Sequence, residues 1–250
     1  MRRFAHFATL AVDAFHNVDY DQRTNGELRA VSIALSGLDA PIVFDVGANH
    51  GDWARLAVEM NASAQIHCFE ISAATRQLLQ GATRDLAQVT VAPSGLDREP
   101  GTVPVKRYAS MDGHTSIYDY PHRESADWTD EPVTTGDAYL AEKGIEHVAF
   151  LKIDTEGAEH RVLAGFETAL RSGVVDVVQF EYGRANIYSR FLLADFHEFF
   201  SERNYVVGKL FPRGVDFRGY HPGDEDFRGP NYLAVHRDRG DLMNRLTGNA

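Results

Sequence analysis

The chain has 250 residues, 44% apolar and 24% charged, with 9 prolines, a composition that argues against collagen, coiled coil or disorder and promises a sizeable core. Twenty-five basic residues against 36 acidic ones leave a net charge of −11, which repels phosphate backbones and anionic lipid, so no nucleic acid and no membrane are expected as partners. A single cysteine, Cys68, excludes an internal disulfide and multi-cysteine metal frameworks, and fits a reducing, cytoplasmic setting.

Two arginines open the chain before an apolar stretch, but His6, Thr9 and Asp13 interrupt it well short of a secretory core or a membrane span. Phe4, Phe7, Ala8, Ala11 and Phe15 recur at steps of three and four, which predicts an amphipathic helix docked by that face on the main domain. Thr24 with Glu27 has the spacing of a capping box ahead of LRAVSIALSGL, a second helix ending near Gly37. Residues 1–40 are therefore expected to be a helical extension and residues 41–250 one domain.

From Pro41 onward, short apolar runs alternate with helical stretches, the pattern of a parallel sheet built from βαβ units. Strands are predicted at 42–46, 65–70, 89–92, 149–154 and 174–181. Helical patterns lie between most of them, one capped by Ser72 and one running through AEHRVLAGFETALRSG to Gly173. The segment from Pro93 to Glu131 breaks the alternation and is expected to be an insertion with short strands. YVVGKLF and NYLAVHR, separated by a long polar loop, predict a late antiparallel pair on the sheet edge.

Asp45, Glu70, Asp154 and Glu181 fall at or near the ends of four predicted strands. Ligands of open α/β sheets bind beyond the carboxyl ends of the strands, and acids are costly there unless they face a ligand, a cation or donors. The first βα turn, FDVGANHGDWA, offers Gly47 and Gly51 for a close-approach turn. Glu70 follows at the end of the next strand, where a carboxylate suits the two hydroxyls of a ribose. The turn lacks the G-x-G-x-x-G spacing of pyrophosphate sites, which favours a cofactor with ribose and adenine but no phosphates: S-adenosylmethionine. In IDTEGAEHRVL, the acids Asp154, Glu156 and Glu159 cluster where carboxylates also complement a helix N-terminus. Transfer of a methyl group to a hydroxyl needs a base, and Asp154, Glu156 or His114 is expected to serve. Glu159 fits capping as well as catalysis, and His160 shares a helix face with Glu156.

DVGANHG, the CFE strand end, GLDREPG and above all FLKIDTEGAEHRVLAG resemble the FkbM family of S-adenosylmethionine-dependent methyltransferases, whose signature is close to LKIDxEGAExxVLxG. The likeness runs from about Pro41 to at least Tyr182. It implies a Rossmann-like class I methyltransferase fold with a mostly parallel seven-stranded sheet, helices on both faces, and O-methylation of sugars, polyketides or related small molecules. By position, Asp45, Gly47, Asn49 and Gly51, with His50 beside them, would frame the methionine end of the cofactor. Glu70 and Ile71 would border its ribose, and Ser94, Gly95 and Leu96 its adenine. A Ser-rich stretch of the family matches GHTSIYDYPH, where Thr115, Ser116, Tyr118 and Tyr120 suit a sugar or polyol; Glu181, Tyr182 and Arg184 would line the acceptor pocket. The Pro93–Glu131 insertion and the N-terminal helices are expected to lid the crevice.

Other chemistries have weaker support. Tyr139-x-x-x-Lys143 has the spacing of a dehydrogenase pair, without the glycine-rich turn that should accompany it. Asp154, Glu156 and Glu181 would suit a hard divalent cation, although nothing in the sequence requires a metal, and the scattered histidines do not indicate zinc. A nicotinamide-dependent oxidoreductase and a catalytically silent S-adenosylmethionine-binding module are the competing functions.

Overall fold

The computed structural model describes residues 2–108, 115–119 and 126–248. The side chains of Phe4, Phe7 and Ala8, and the whole of His114 and Tyr120, lie outside the described residues.

Helix α1 (Arg2–Phe15) is present, but Ala11 is exposed and Phe15 is 76% exposed, so these two members of the predicted docking face do not dock. Polar contacts hold the chain just after it. Asn17 is buried and donates to the carbonyls of Asn25 and Leu210. Helix α2 (Glu27–Leu35) buries Ala30, Val31, Ala34 and Leu35. The predicted capping box does not form: Asn25 Oδ1 accepts from the Glu27 N–H at 2.9 Å, and Thr24 donates to Asp19. Glu27 is drawn away because its carboxylate accepts from Asn25, Gln179 and Asn231.

The main unit then follows as β1 (Ile42–Val46), α3 (Asp52–Met60), β2 (Gln65–Phe69), α4 (Ala73–Thr83) and β3 (Val89–Val91). Ser72 caps α4, accepting from the Thr75 N–H. The insertion supplies β4 (Gly95–Leu96), β5 (Gly101–Tyr108) and β6 (Ala126–Thr134) as a small separate sheet. After it come α5 (Gly136–Lys143), β7 (Phe150–Ile153), α6 (Glu159–Ala164), α7 (Glu167–Arg171) and β8 (Val177–Glu181). The helix predicted through AEHRVLAGFETALRSG is split at Gly165, where a Cβ would stand 2.2 Å from the Asp97 carbonyl oxygen. The chain ends with α8 (Asn186–Ser189), α9 (Leu193–Ser201), β9 (Tyr205–Phe211), β10 (Gly214–Asp216), β11 (Asn231–His236) and α10 (Gly240–Thr247).

Among the described residues eight strands form the main sheet, in the order β10-β9-β11-β8-β7-β1-β2-β3. The seven predicted strands are all in it; the eighth, β10, is a short hairpin partner of β9. β3, β2, β1, β7 and β8 pair in parallel, while β11 runs antiparallel to both β8 and β9. β11 is thus inserted inside the sheet, and β10 takes the edge predicted for the late pair.

Both faces are covered, as parallel sheets require. Phe44, Val46, Leu151, Ile153 and Phe180 pack under Tyr139, Leu163, Phe166 and Phe196 on one side. Val43, Ile66, Phe150 and Val177 pack against Leu35, Trp53, Leu79 and Leu246 on the other. Burial of each such side chain stabilises by about 1.5–3 kcal/mol. The second face also carries a polar row, since the register sets Cys68, Asp45, Lys152 and Gln179 side by side on β2, β1, β7 and β8. All four are buried, with Glu27 of α2 donated to by Gln179.

Candidate active site

A cleft of about 790 Å³, taken to its open mouth, lies beyond the carboxyl ends of β1, β2 and β7. Its wall begins at the turn after β1. Gly47 has φ 77°, and a Cβ there would stand 1.7 Å from the Asp154 carbonyl oxygen, so no side chain fits. The Gly47 and Ala48 N–H groups both donate to the Phe69 carbonyl, and Gly51, φ 86°, turns the chain into α3. Asn49 donates its backbone N–H to Glu70 Oε2 at 3.1 Å. The buried Oδ1 of the Asn49 side chain finds no hydrogen-bond partner among the described residues.

Glu70, at the tip of β2, is 5% exposed and accepts from the Ser72 N–H through its other oxygen at 2.9 Å. Burial pushes its carboxyl up, against the pull of these two N–H groups. Arg76 donates to the Glu70 and Ile71 carbonyls and lies 3.9 Å from Glu131 at the far end of the insertion. A fixed acceptor at Glu70, an orphaned acceptor at Asn49 and a turn with no room for side chains fit a cofactor that presents hydroxyl or ammonium donors. Ile71, Gly95 and Leu96 continue the same wall.

The stretch of lining next to the Gly47 turn, after β7, is acidic. Asp154 and Glu156 line the cleft, whereas Glu181, expected to line it, is off the lining; the three each bring an oxygen within 4.8 Å of the others, a spacing that a hard divalent cation would also accept. Among the described residues no histidine or cysteine joins the group. Glu156 adopts φ 53°, a left-handed conformation rare for a residue with a side chain. Burial, and then repulsion from Asp154 and Glu159, pushes its carboxyl up to about 8. Glu181 is raised well above the usual range by burial and by the same neighbours. Glu159 has a structural part: its Oε1 accepts from the Thr155 and Gly157 N–H groups and the Thr155 hydroxyl. It thereby holds the turn that carries Glu156, and burial raises it to about 7.

Thr115, Ser116 and Ile117 of the insertion reach this wall. Ser116 donates to the Glu156 carbonyl at 2.9 Å. Tyr118 stands just outside, 3.4 Å from His160 Nε2, and His160 stacks on Phe191. Burial lowers the His160 imidazole.

Several expected site residues lie elsewhere. Asp45 is fully buried behind the turn, 3.4 Å from Lys152 Nζ, instead of lining the cleft. His50 is exposed on the turn and Ser94 is off the lining. Tyr182 is fully buried: it follows Glu181 in an alternating strand end, so its ring enters the core, stacks on Phe227 and donates to Glu225. Arg184 is exposed and does not line the cleft. Tyr139 is 4% exposed, packed on Phe69, and paired with His67 at 2.9 Å, which removes the dehydrogenase pair. Sequence reasoning missed Asp97, a lining residue clamped by Nε and Nη2 of Arg161. It also missed Lys152, although a cation within an apolar strand was a legible signal.

A family model described as the methyltransferase FkbM domain matches residues 45–207, from the first strand of the cleft into β9. The chain belongs to this family. It is an S-adenosylmethionine-dependent methyltransferase, which retires the nicotinamide alternative. No curated protein sequence matches the chain. Among solved structures, it is similar to an O-methyltransferase from Bacillus cereus in complex with SAH, at 12% identity and TM-score 0.47, covering 91% of this chain and 88% of that one. A precorrin-6y C5,15-methyltransferase from Geobacter metallireducens gives 12% identity and TM-score 0.43 over 87% and 90% of the two chains. A TehB-like SAM-dependent methyltransferase from Corynebacterium glutamicum gives 12% and 0.43, over 94% of each. Among the described residues of this FkbM-family protein, no helix is long and apolar enough to cross a membrane.

Proposed function

We propose that this FkbM-family enzyme methylates a hydroxyl of a small polyhydroxylated acceptor, such as a sugar or a natural-product scaffold, in the cytoplasm. The observation that carries this reading is the pair Asp154 and Glu156 on the cleft lining, with Glu181 within 4.8 Å of both and Glu156 raised to about 8. A carboxylate tuned toward neutrality is the base that removal of a hydroxyl proton asks for.

In this reading the turn at Gly47 and Asn49 takes the amino-acid end of S-adenosylmethionine, Glu70 takes the ribose hydroxyls, and Ile71, Gly95 and Leu96 border the adenine. When bound, that group supplies an electrophilic methyl. Glu156 accepts the hydroxyl proton, while Asp154 and Glu181 keep the acceptor oxygen oriented, which is worth much of the rate in a two-reactant step. Thr115 and Ser116 contact the acceptor, and the insertion, pinned through Ser116, closes over it.

The test is release of S-adenosylhomocysteine from a panel of hydroxylated sugars and polyketide-like scaffolds, with magnesium and with chelator. Turnover on hydroxyl acceptors that survives chelation and disappears in Glu156→Gln supports the base. Turnover only on amine, thiol or carbon acceptors overturns O-methylation. Loss of all turnover with chelator selects the second reading, in which the same three acids hold a divalent cation that binds the acceptor oxygen.

A further inference from the structure

Lys152 is the charged residue of β7, and it is 3% exposed. Its Nζ lies 3.4 Å from Asp45 Oδ1 on the neighbouring strand and 3.3 Å from Asp154 Oδ2 at the cleft wall. The Trp53 ring of α3 lies 5.9 Å away. The two carboxylates are unlike. Asp45 is wholly buried, and neither of its oxygens has a hydrogen bond among the described residues, so the ammonium is its ionic partner. The Asp154 side chain is 42% exposed and lines the cleft.

A buried ion pair is a poor device for stability, because the cost of desolvating both charges offsets their attraction. An ammonium braced from behind and facing a cleft carboxylate in front does something else: it fixes that carboxylate. Burial works against the charge on Lys152, but Asp154, Asp45 and Glu27 together outweigh it and keep the lysine protonated.

We propose that Lys152 is a positioning residue for methyl transfer, its ammonium braced by Asp45 so that Asp154 Oδ2 keeps a fixed place in the cleft wall. The inference rests on the reading that the acid group handles the acceptor. It differs from that reading in assigning a task to a side chain that never reaches the cleft.

A double-mutant cycle on the full chain tests it. Asp45→Leu combined with Lys152→Met replaces the buried pair by apolar groups and should preserve the fold. We expect kcat to fall at least tenfold while affinity for S-adenosylhomocysteine, read by calorimetry, stays within threefold; Lys152→Arg, which keeps the charge, should retain more turnover. In an Asp154→Asn background the paired replacement should change kcat less than twofold, because the group it acts through has lost its charge. A full tenfold loss persisting in that background, or a matching loss of cofactor affinity, overturns the proposal in favour of a structural role. Wild-type turnover in Asp154→Asn would overturn the reading of the acid group and this inference with it. Loss of turnover in Asp154→Asn with normal turnover in the paired variant would sink the inference alone. Should thermal melts show that the paired variant does not fold, Lys152→Arg with and without Asp154→Asn decides on the same non-additivity.

Discussion

The two walls of the cleft are built differently. The cofactor wall is backbone held by backbone: Gly47 and Ala48 donate to the Phe69 carbonyl, Asn49 and Ser72 donate to Glu70, and nothing larger than glycine fits at position 47. The acceptor wall is made of side chains that repel one another, with Glu156 in a left-handed conformation and its neighbours Asp154 and Glu181 within 4.8 Å. Rigid backbone suits a ligand of fixed shape. Crowded acids cost stability, and such a cost is tolerated where it tunes a proton acceptor.

The largest effect should come from breaking the backbone wall. Gly47→Ala meets both a positive φ and the Asp154 carbonyl, and we expect a loss of more than ~4 kcal/mol in urea unfolding. A variant within ~1 kcal/mol of wild type would show that the turn is not rigid. Next comes the acid wall, where Glu156→Gln should lower kcat by roughly 10²–10⁴-fold while leaving cofactor affinity near wild type. A parallel loss of affinity would erase the distinction between the walls.

Glu70→Ala should do the reverse. Loss of charge-assisted hydrogen bonds worth about 1.5–3 kcal/mol each weakens binding of S-adenosylhomocysteine at least tenfold by calorimetry. Unchanged affinity in a folded variant would remove Glu70 from the cofactor wall.

pH should separate the walls further. Glu156, raised to about 8, and Glu159, raised to about 7, hold protons in the folded state that the unfolded chain releases near the ordinary glutamate value of 4.5. Their contribution to stability is therefore complete below about pH 4.5 and is lost as pH rises through 7 and 8. The thermal midpoint should fall across that window, less steeply in Glu156→Gln. Turnover should climb over the same range as Glu156 becomes a free base. A rate flat from pH 6 to 9 would exclude it. The smallest effect is expected from Ser116→Ala, which forfeits the hydrogen bond to the Glu156 carbonyl and the one accepted from the Tyr118 N–H, about 1 kcal/mol each, and should raise the acceptor KM several-fold with kcat little changed.

Legibility followed the same divide. The cofactor wall is a local motif, in which turn glycines and a strand-end acid lie within one βαβ unit, so spacing alone singles out Gly47 and Glu70, while Asn49 entered only through the family resemblance. The acceptor wall gathers the turn after β7 and the insertion, with Glu181 of β8 close behind in the acid group. Asp154, Glu156 and Glu181 come together because strand ends share an edge, while Tyr182 was misplaced because one step along a strand reverses the side a residue faces. His114, expected as a base, lies outside the described residues.

Hydrophobic periodicity by itself determined the seven strands, most of the helices and the edge of the sheet that bears the site, because burial on two covered faces leaves a pattern in the chain. The motif in LKIDTEGAEHRVLAG determined the family. Only the tertiary structure decided that Glu27 would leave its cap for Gln179, that β11 would enter the sheet ahead of β9, and that Lys152 would stand between Asp45 and Asp154. Each of those outcomes is set by which partner a buried polar group or strand edge meets across the sheet, and that choice is made between residues distant in sequence.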